Sequence, residues 1–450
     1  MLATIKSKLS QLFQSPTFQK YAQNAGWLMS ERMITMAVAF VISALVARYL
    51  GAEGMGILGY ALSLTSFLDI FIKLGMVATL TRNLVREPEK TETILGSAIG
   101  LRAIGTFLGV CVMIIGILIV PQEKVTVHVL LILSLSTILN GGQVLYNYFE
   151  SRVITKYDAR MKIITLVIVS IFKLSLVYIF QADVVWFAVS FVLTEAINFA
   201  GQIWIYHRRG YGHVRNWKVE KATMLQLFKE SWPLIFSSAL QIIYTKTDQI
   251  MIKHFLNDEQ VGIFYVSDKF SFMFFFIPSI IVSTLAPRIY EAREQNKELF
   301  EKRVQELMNI QVVVMLTIIF GVSLLGPTVV ELVYGPEFID SGKILPFHVW
   351  GGLFMAIGGA ASTFLLAINM ERIVFMKTLF GAVANIALNI ILIPKYGVMG
   401  AAIATLITQA IASYFTYLFF PRTRDLFWMQ TKALLLIGPT QQLFKLINNR

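Results

Sequence analysis

Cysteine occurs once in the chain, at Cys111 inside an apolar stretch, which excludes an intramolecular disulfide and gives no metal or redox motif. Charge is scarce as well. Only 15% of the 450 residues are charged against 56% hydrophobic, more apolar than a soluble domain can solvate, so the chain reads as an integral membrane protein. No GxxxxGK[ST] loop is present, which excludes an ATPase motor within this chain. HExxH, GxSxG and Cys/His clusters are absent too, so these catalytic and metal motifs are not available, and no enzyme and no cofactor beyond a coupling proton or sodium ion is expected. Long outer loops are missing too: the connection Gln181-Ala-Asp183 is close to the minimum between two helices. The first 25 residues lack the apolar core and small-residue cleavage site of a signal peptide. Instead Leu2, Ile5, Leu9, Leu12 and Phe13 recur at helical spacing among lysines, the pattern of a helix lying on the membrane surface.

What the sequence has in abundance is apolar runs of crossing length. At ~1.5 Å per residue about 20 residues span a ~30 Å hydrocarbon layer, and the runs lack the regular alternation of barrel strands, so helices are expected. About twelve spans are predicted: 26–47, 56–77, 95–120, 125–149, 162–181, 184–206, 232–254, 261–287, 309–334, 344–368, 373–394 and 397–420. Basic residues collect in alternate loops, among them Arg82 and Arg86, Arg152 to Lys162, Tyr206 to Glu230, Arg288 to Arg303, and Arg372 with Lys377. Cytoplasmic loops retain such residues, which places both termini in the cytoplasm and accounts for most of the formal +12 without a nucleic-acid partner. The expected organisation is an interfacial helix over 1–25, a six-helix bundle over 26–206, a cytoplasmic linker over 207–230, a second six-helix bundle over 231–420 and a cytoplasmic tail over 421–450. Glu291 to Leu307 reads as one polar helix continuing below the eighth span, and Met429 to Ile437 as a surface segment too short to cross.

Sliding the chain against itself by 206 positions lays Leu50, Glu53, Gly56 and Ile57 over Leu256, Glu259, Gly262 and Ile263. Shifts of 214 to 215 match Met161-Lys162 with Met376-Lys377, and LTEAI (193–197) with ITQAI (407–411). Six spans per half keep both halves in one orientation, related by a pseudo-two-fold axis along the membrane normal. In transporters of that plan the substrate sits near the midplane between halves and access alternates by rocking.

Ionisable side chains within the spans cost on the order of 2.5 kcal/mol or more in hydrocarbon, so they face protein or a watered cavity and mark a candidate site. Arg32, Arg48, Lys73, Arg102, Lys173, Lys246 and Lys269 are distributed by depth as a cationic ladder. Such a ladder suits an anionic head group crossing in steps. The acids Glu31, Asp69, Glu195, Asp248 and Asp268 leave a second reading open, in which they neutralise the ladder as structural ion pairs. Gln241, Tyr244 and Asp248 share a stripe at i, i+3, i+7, and Asn385 and Asn389 share a face at i, i+4; each suits a polar lumen or hydrogen bonding between helices. Glu195 either binds a coupling proton or sodium ion or makes a helix-to-helix hydrogen bond. A negative head group moving outward also gains about 2.3 kcal/mol per charge per 100 mV where the inside is negative.

ARYLGAEGMGILGYA (47–61), SWPLIFSS with DQIMI and VGIF (231–263), FIPSIIVSTLAP (276–287) and ANIALNIILIPKYGVMGAAIATLI (384–407) together resemble the Wzx-type polysaccharide flippases of the MATE-like exporter superfamily. The resemblance implies two six-helix bundles around a cationic cavity, alternating access, and transport without catalysis. It further implies an undecaprenyl-diphosphate-linked oligosaccharide as substrate, the bacterial inner membrane as location, other polysaccharide assembly proteins as partners, and a product such as O-antigen lipopolysaccharide, capsule or exopolysaccharide. By the same resemblance Arg32 and Arg48 correspond to basic positions of the first span, and Lys246 stands where arginine is frequent. Three alternatives stay open: a MATE-type cation/drug antiporter, a peptidoglycan-precursor flippase, whose usual two further spans are not evident after Phe420, and a membrane polysaccharide polymerase or ligase.

Overall fold

The computed structural model describes residues 16–140 and 143–437, and among these every regular element is helical. The helices are α1 (Pro16–Lys73), α2 (Met76–Arg86), α3 (Thr91–Ile119), α4 (Lys124–Asn140), α5 (Val144–Ser151), α6 (Lys156–Tyr178), α7 (Val184–Arg208), α8 (Lys221–Phe255), α9 (Asp258–Gln295), α10 (Lys297–Tyr334), α11 (Ile339–Ala367), α12 (Glu371–Ala410) and α13 (Arg424–Leu434). In hydrocarbon each backbone N–H and C=O must be satisfied within its own segment, so apolar runs of this length close into helices. Most of the expected interfacial segment, and the last residues of the tail, lie outside the described residues; from Pro16 onward the chain is already α1.

Nine helical stretches among the described residues are long and apolar enough to cross a membrane. Two of them, Ser30–Arg86 and Glu371–Phe419, run to 57 and 49 residues, about twice a crossing length. Each contains a glycine outside helical geometry, Gly51 at φ 68° and Gly397 at φ 59°, a backbone region open to glycine but costly for other residues. These kinks make two crossings of each stretch, and α8 supplies the remaining length, as the predicted spans require. Large apolar side chains such as Phe107, Leu118, Phe320 and Leu324 are exposed, the surface lipid would cover. The chain is therefore an all-α, multi-pass membrane protein.

By internal contacts the chain divides into two compact units. One holds the residues through Tyr49 together with Leu64–Ala239; the other holds Leu50–Ser63 and Leu240 onward. In the first unit α4 packs on α7, and α6 on α7. A core of Met76, Leu80, Leu84, Leu95, Phe149 and Tyr206 also takes in Leu227. The stretch expected as a cytoplasmic linker is docked on this unit. The Glu220 N–H donates to Ser97 Oγ at 3.0 Å, and Gly96 lies so close to Lys218 that a Cβ would meet its carbonyl oxygen at 2.4 Å.

In the second unit α10 packs on α11, α9 on α11, and α11 on α12. The repeat-related glycines meet here. A Cβ on Gly56 would stand 1.7 Å from the Asp258 carbonyl oxygen, and one on Gly262 1.9 Å from that of Ala52, so two helix backbones cross with no room for a side chain. Ser63 Oγ donates to Gln249 Oε1 at 2.6 Å, and the Ala52 N–H to Glu337 Oε2 at 3.1 Å, fixing the same segment.

One local expectation is corrected. Glu291 to Leu307 is not one helix: α9 ends at Gln295, and Asn296, at φ −163°, starts α10 by accepting the Leu299 N–H at 2.7 Å. Asparagine is among the best residues for this cap, because its side-chain oxygen replaces the missing helical acceptor. The surface segment expected over 429–437 falls largely in α13. Leu426, Phe427, Met429 and Ala433 are buried, and Gln430 Nε2 donates to the Ser413 carbonyl at 2.9 Å, so α13 docks one face on the second unit and exposes Trp428 on the other.

Candidate functional site

The second unit contains a cavity of about 410 Å³. Polar side chains on its wall include Gln241, Tyr244 and Asp248 of α8, Asp268 of α9, His348 of α11, and Lys377 and Thr405 of α12. Phe264, Phe272 and Phe275 supply an aromatic side, and Gly351, Gly352, Gly358 and Gly359 keep α11 free of bulk there. A few polar groups converging in an otherwise apolar hollow is the usual makeup of a ligand site.

Asp248 is buried and is the most heavily bonded group on this wall. Asn385 Nδ2 donates to its Oδ1 at 2.8 Å, Asn389 Nδ2 to the same oxygen at 2.5 Å, and Thr405 Oγ1 to Oδ2 at 2.8 Å. The spacing of Asn385 and Asn389, one helical turn apart, brings both amides to one carboxylate. Thr405 reaches it from beyond the Gly397 kink. Asn389 Oδ1 is buried with no hydrogen-bond partner, an oxygen left over in an oxygen-rich cluster.

Its place beside a loop groups Lys377 with the cytoplasmic flanking residues, and its side chain lines the cavity. Its Nζ donates to Ser362 Oγ at 2.7 Å and to the Gly358 carbonyl at 3.2 Å, both on α11. On the same wall Ser267 Oγ lies 3.0 Å from His348 Nδ1, while His348 Nε2 is buried without a partner. Nothing in the spacing of Thr405, His348 or Lys377 marks them; only the fold brings them to Asp248 and Asp268.

The cations of the expected ladder are dispersed over both units. In the first, Arg32 and Arg48 are exposed on α1, Lys73 forms an ion pair with Asp69 at 2.7 Å, Arg102 is buried in α3, and Lys173 Nζ lies 4.8 Å from the Phe191 ring centre. Glu195 is half-buried on α7. In the second, Lys246 and Lys269 are half-buried, with Lys269 Nζ 5.5 Å from the Tyr265 ring centre. Neither lines the cavity. The cavity thus gathers Gln241, Tyr244 and Asp248, with Asn385 and Asn389 behind Asp248, and leaves the ladder elsewhere.

The capsular polysaccharide biosynthesis protein CapF of Staphylococcus aureus is 22% identical to the chain over 404 residues, covering 89% of this chain and 99% of CapF. The probable low-salt glycan biosynthesis flippase Agl15 of Haloferax volcanii is 23% identical over 186 residues, 41% of this chain and 39% of that protein. Among solved structures, the lipid II flippase MurJ in an inward closed conformation superposes with a TM-score of 0.71 at 17% identity, over 91% of each chain. An inward-facing multidrug resistance MATE family transporter of the MOP superfamily superposes with 0.68 at 14% identity, over 89% of this chain and 95% of that one. At such identities these two establish the fold, that of the MATE-like exporters. The family model described as "Polysaccharide biosynthesis protein" matches residues 21–293, more than half of the sequence, and the chain belongs to that family.

Proposed function

We propose that the chain is a flippase that moves an oligosaccharide linked to a polyprenyl diphosphate, undecaprenyl in bacteria, from the cytoplasmic to the outer leaflet by alternating access. It would serve surface polysaccharide biosynthesis from the inner membrane, with both termini cytoplasmic, alongside the other proteins of polysaccharide assembly. The observation that carries this reading is the union of a polysaccharide-biosynthesis family match over 21–293 with an exporter fold. A named relative, Agl15, is described as a probable glycan biosynthesis flippase, and the named structural neighbours are a lipid flippase and a drug exporter.

In this reading Arg32, Arg48, Arg102, Lys173, Lys246 and Lys269 meet the diphosphate in succession, each weakly enough to release it. Lys73 would do so by exchanging its carboxylate partner, Asp69, for phosphate. Coupling falls to Asp248, Asn385, Asn389 and Thr405. Asp248 is the anionic group there: its carboxylate accepts from Asn385 Nδ2, Asn389 Nδ2 and Thr405 Oγ1, and the unpartnered Asn389 Oδ1 is a further oxygen in the cluster. A sodium ion would be held there by the ionised carboxylate; a proton would occupy the carboxylate itself. A MATE-type cation/drug antiporter is the second reading, favoured only by the shared fold and an acid on the cavity wall. Deleting the gene in its own cell separates the two. The flippase reading expects loss of surface glycan with build-up of lipid-linked intermediate, restored by the wild-type gene. Normal glycan with heightened drug sensitivity would decide for the antiporter.

A further inference from the structure

The cavity of the second unit carries chemistry that a diphosphate alone does not need. Asp268 is an acid on its wall with no ion pair or side-chain hydrogen bond among the described residues; only its backbone carbonyl is engaged, by Ser271 Oγ at 2.7 Å. Lys377 stands on the same wall with two neutral acceptors, Ser362 Oγ and the Gly358 carbonyl, so among the described residues no carboxylate cancels its charge. An acceptor that would repel phosphate and a donor that would attract it therefore share one hollow. Phe272 and Phe275 add flat apolar faces, the surfaces on which the C–H face of a sugar ring packs while its hydroxyls turn to polar groups. The volume, about 410 Å³, is at the small end of the ~300–1,000 Å³ range of ligand pockets and suits one or two sugar rings, not a whole lipid-linked oligosaccharide.

We infer that this cavity is a saccharide subsite for a sugar ring bearing an anionic substituent. Lys377 holds the anion, Asp268 accepts hydrogen bonds from ring hydroxyls, and the phenylalanine faces carry the ring. The inference rests on the flippase reading and adds to it which part of the cargo is recognised away from the ladder. The anion has two sources, the phosphate ester on the first sugar or the carboxylate of an acidic sugar.

Titration calorimetry on the full chain in lipid nanodiscs distinguishes them, with glucose 1-phosphate, glucuronate, glucose and inorganic phosphate as probes. At least one of the two anionic sugars is expected to bind about tenfold more tightly than both glucose and inorganic phosphate, and the tighter of the two identifies the source. Lys377→Gln is expected to weaken that binding about tenfold, Lys377→Arg to retain most of it, and Asp268→Asn to weaken it while leaving inorganic phosphate unchanged. Should Lys377→Gln fail to fold, the Lys377→Arg and Asp268→Asn pair carries the test. The subsite is overturned if neither anionic sugar binds saturably to the wild type, if inorganic phosphate binds as well as glucose 1-phosphate and glucuronate binds no better than glucose, or if the folded variants bind as the wild type does. A wild-type protein that moves lipid-linked glycan but binds no anionic sugar removes the subsite alone. One that binds the sugar but moves no lipid-linked glycan removes the flippase reading alone.

Discussion

Thr405 Oγ1 donates to Asp248 Oδ2 at 2.8 Å, joining residues 157 positions apart on α8 and α12. The bond closes a ring of donors around one buried carboxylate that also faces the cavity. Removing the acceptor takes from Asn385 Nδ2 its bond to Asp248, whereas Asn389 Nδ2 keeps Asn385 Oδ1 and Thr405 Oγ1 keeps the Ala401 carbonyl; a stranded buried donor costs about 1–3 kcal/mol. Asp248→Ala is therefore expected to lower thermal stability markedly in detergent. Asp248→Asn keeps the size and one oxygen acceptor, and is expected to fold but to lose the dependence of transport on sodium or proton concentration. Fluorescence-detected size exclusion on heating and a cation titration of transport check the two halves; an Asp248→Asn protein with unaltered cation dependence would remove the coupling role.

The cationic ladder is tested by charge removal. Single changes Arg32→Ala, Lys246→Ala and Lys269→Ala are expected to reach the membrane at normal levels and to abolish surface glycan. Arginine in place of lysine at 246 is expected to support export, because the charge is kept and a fork of donors suits phosphate. Glycan blots beside membrane immunoblots provide the measurement, and unchanged glycan in all three alanine variants counts against substrate contact.

The Gly56–Gly262 crossing leaves 1.7 and 1.9 Å where Cβ atoms would sit. Alanine at Gly262 cannot keep that packing, since its obstacle is backbone and cannot rotate away. Gly262→Ala is expected to expose the segment Leu50–Ser63. A Leu58→Cys reporter in a Cys111→Ala background, buried in the native packing, should then react several-fold faster with a maleimide. An unchanged labelling rate would mean that the crossing opens without cost.

Glu230 lies just before the apolar run of α8 and accepts from Arg82 Nη2 at 2.7 Å and Asn83 Nδ2 at 2.8 Å. Burial pushes its carboxyl up, but the bonds from Asn83, Gln226 and Arg82 outweigh it and hold the group below the usual glutamate range. A depressed folded-state value contributes stability above the unfolded pKa, and that contribution is lost as pH falls through the folded one. Glu230→Gln should therefore flatten the acid side of the stability curve, below the ordinary glutamate value of 4.5. Curves of equal steepness for the two proteins would contradict this.

The crossing lengths are legible because hydrocarbon allows little but helix, and the breaks inside the two longest stretches fall at Gly51 and Gly397, residues that permit them. The Asn296 break is not legible in the same way, since Glu291 to Leu307 has a helical composition throughout and one capping side chain decides it. The spacing of four places Lys73 and Asp69 on one face, but the sequence leaves open whether they pair with each other or Lys73 serves the ladder; the structure pairs them. Asn385 and Asn389 were legible as one polar face, but their shared partner Asp248 lies more than 130 residues away and spacing cannot supply it. For a related reason the sequence does not show what Lys377 touches: a loop-counting rule speaks only to its side of the membrane, while its long side chain reaches acceptors on α11 and the cavity wall.

The central claim is that the chain carries diphosphate-linked glycan across a bilayer, and it is tested most directly in liposomes. The purified protein is reconstituted with a fluorescent polyprenyl-diphosphate-linked saccharide made from its own cell's lipid-linked glycan, and a membrane-impermeant reductant is added outside. Protein-free liposomes should lose about half of the signal, the share in the outer leaflet, and vesicles holding the wild type should lose nearly all of it, at a rate that falls in Lys246→Ala. A plateau that stays at the protein-free level with correctly folded protein in every vesicle would contradict the account.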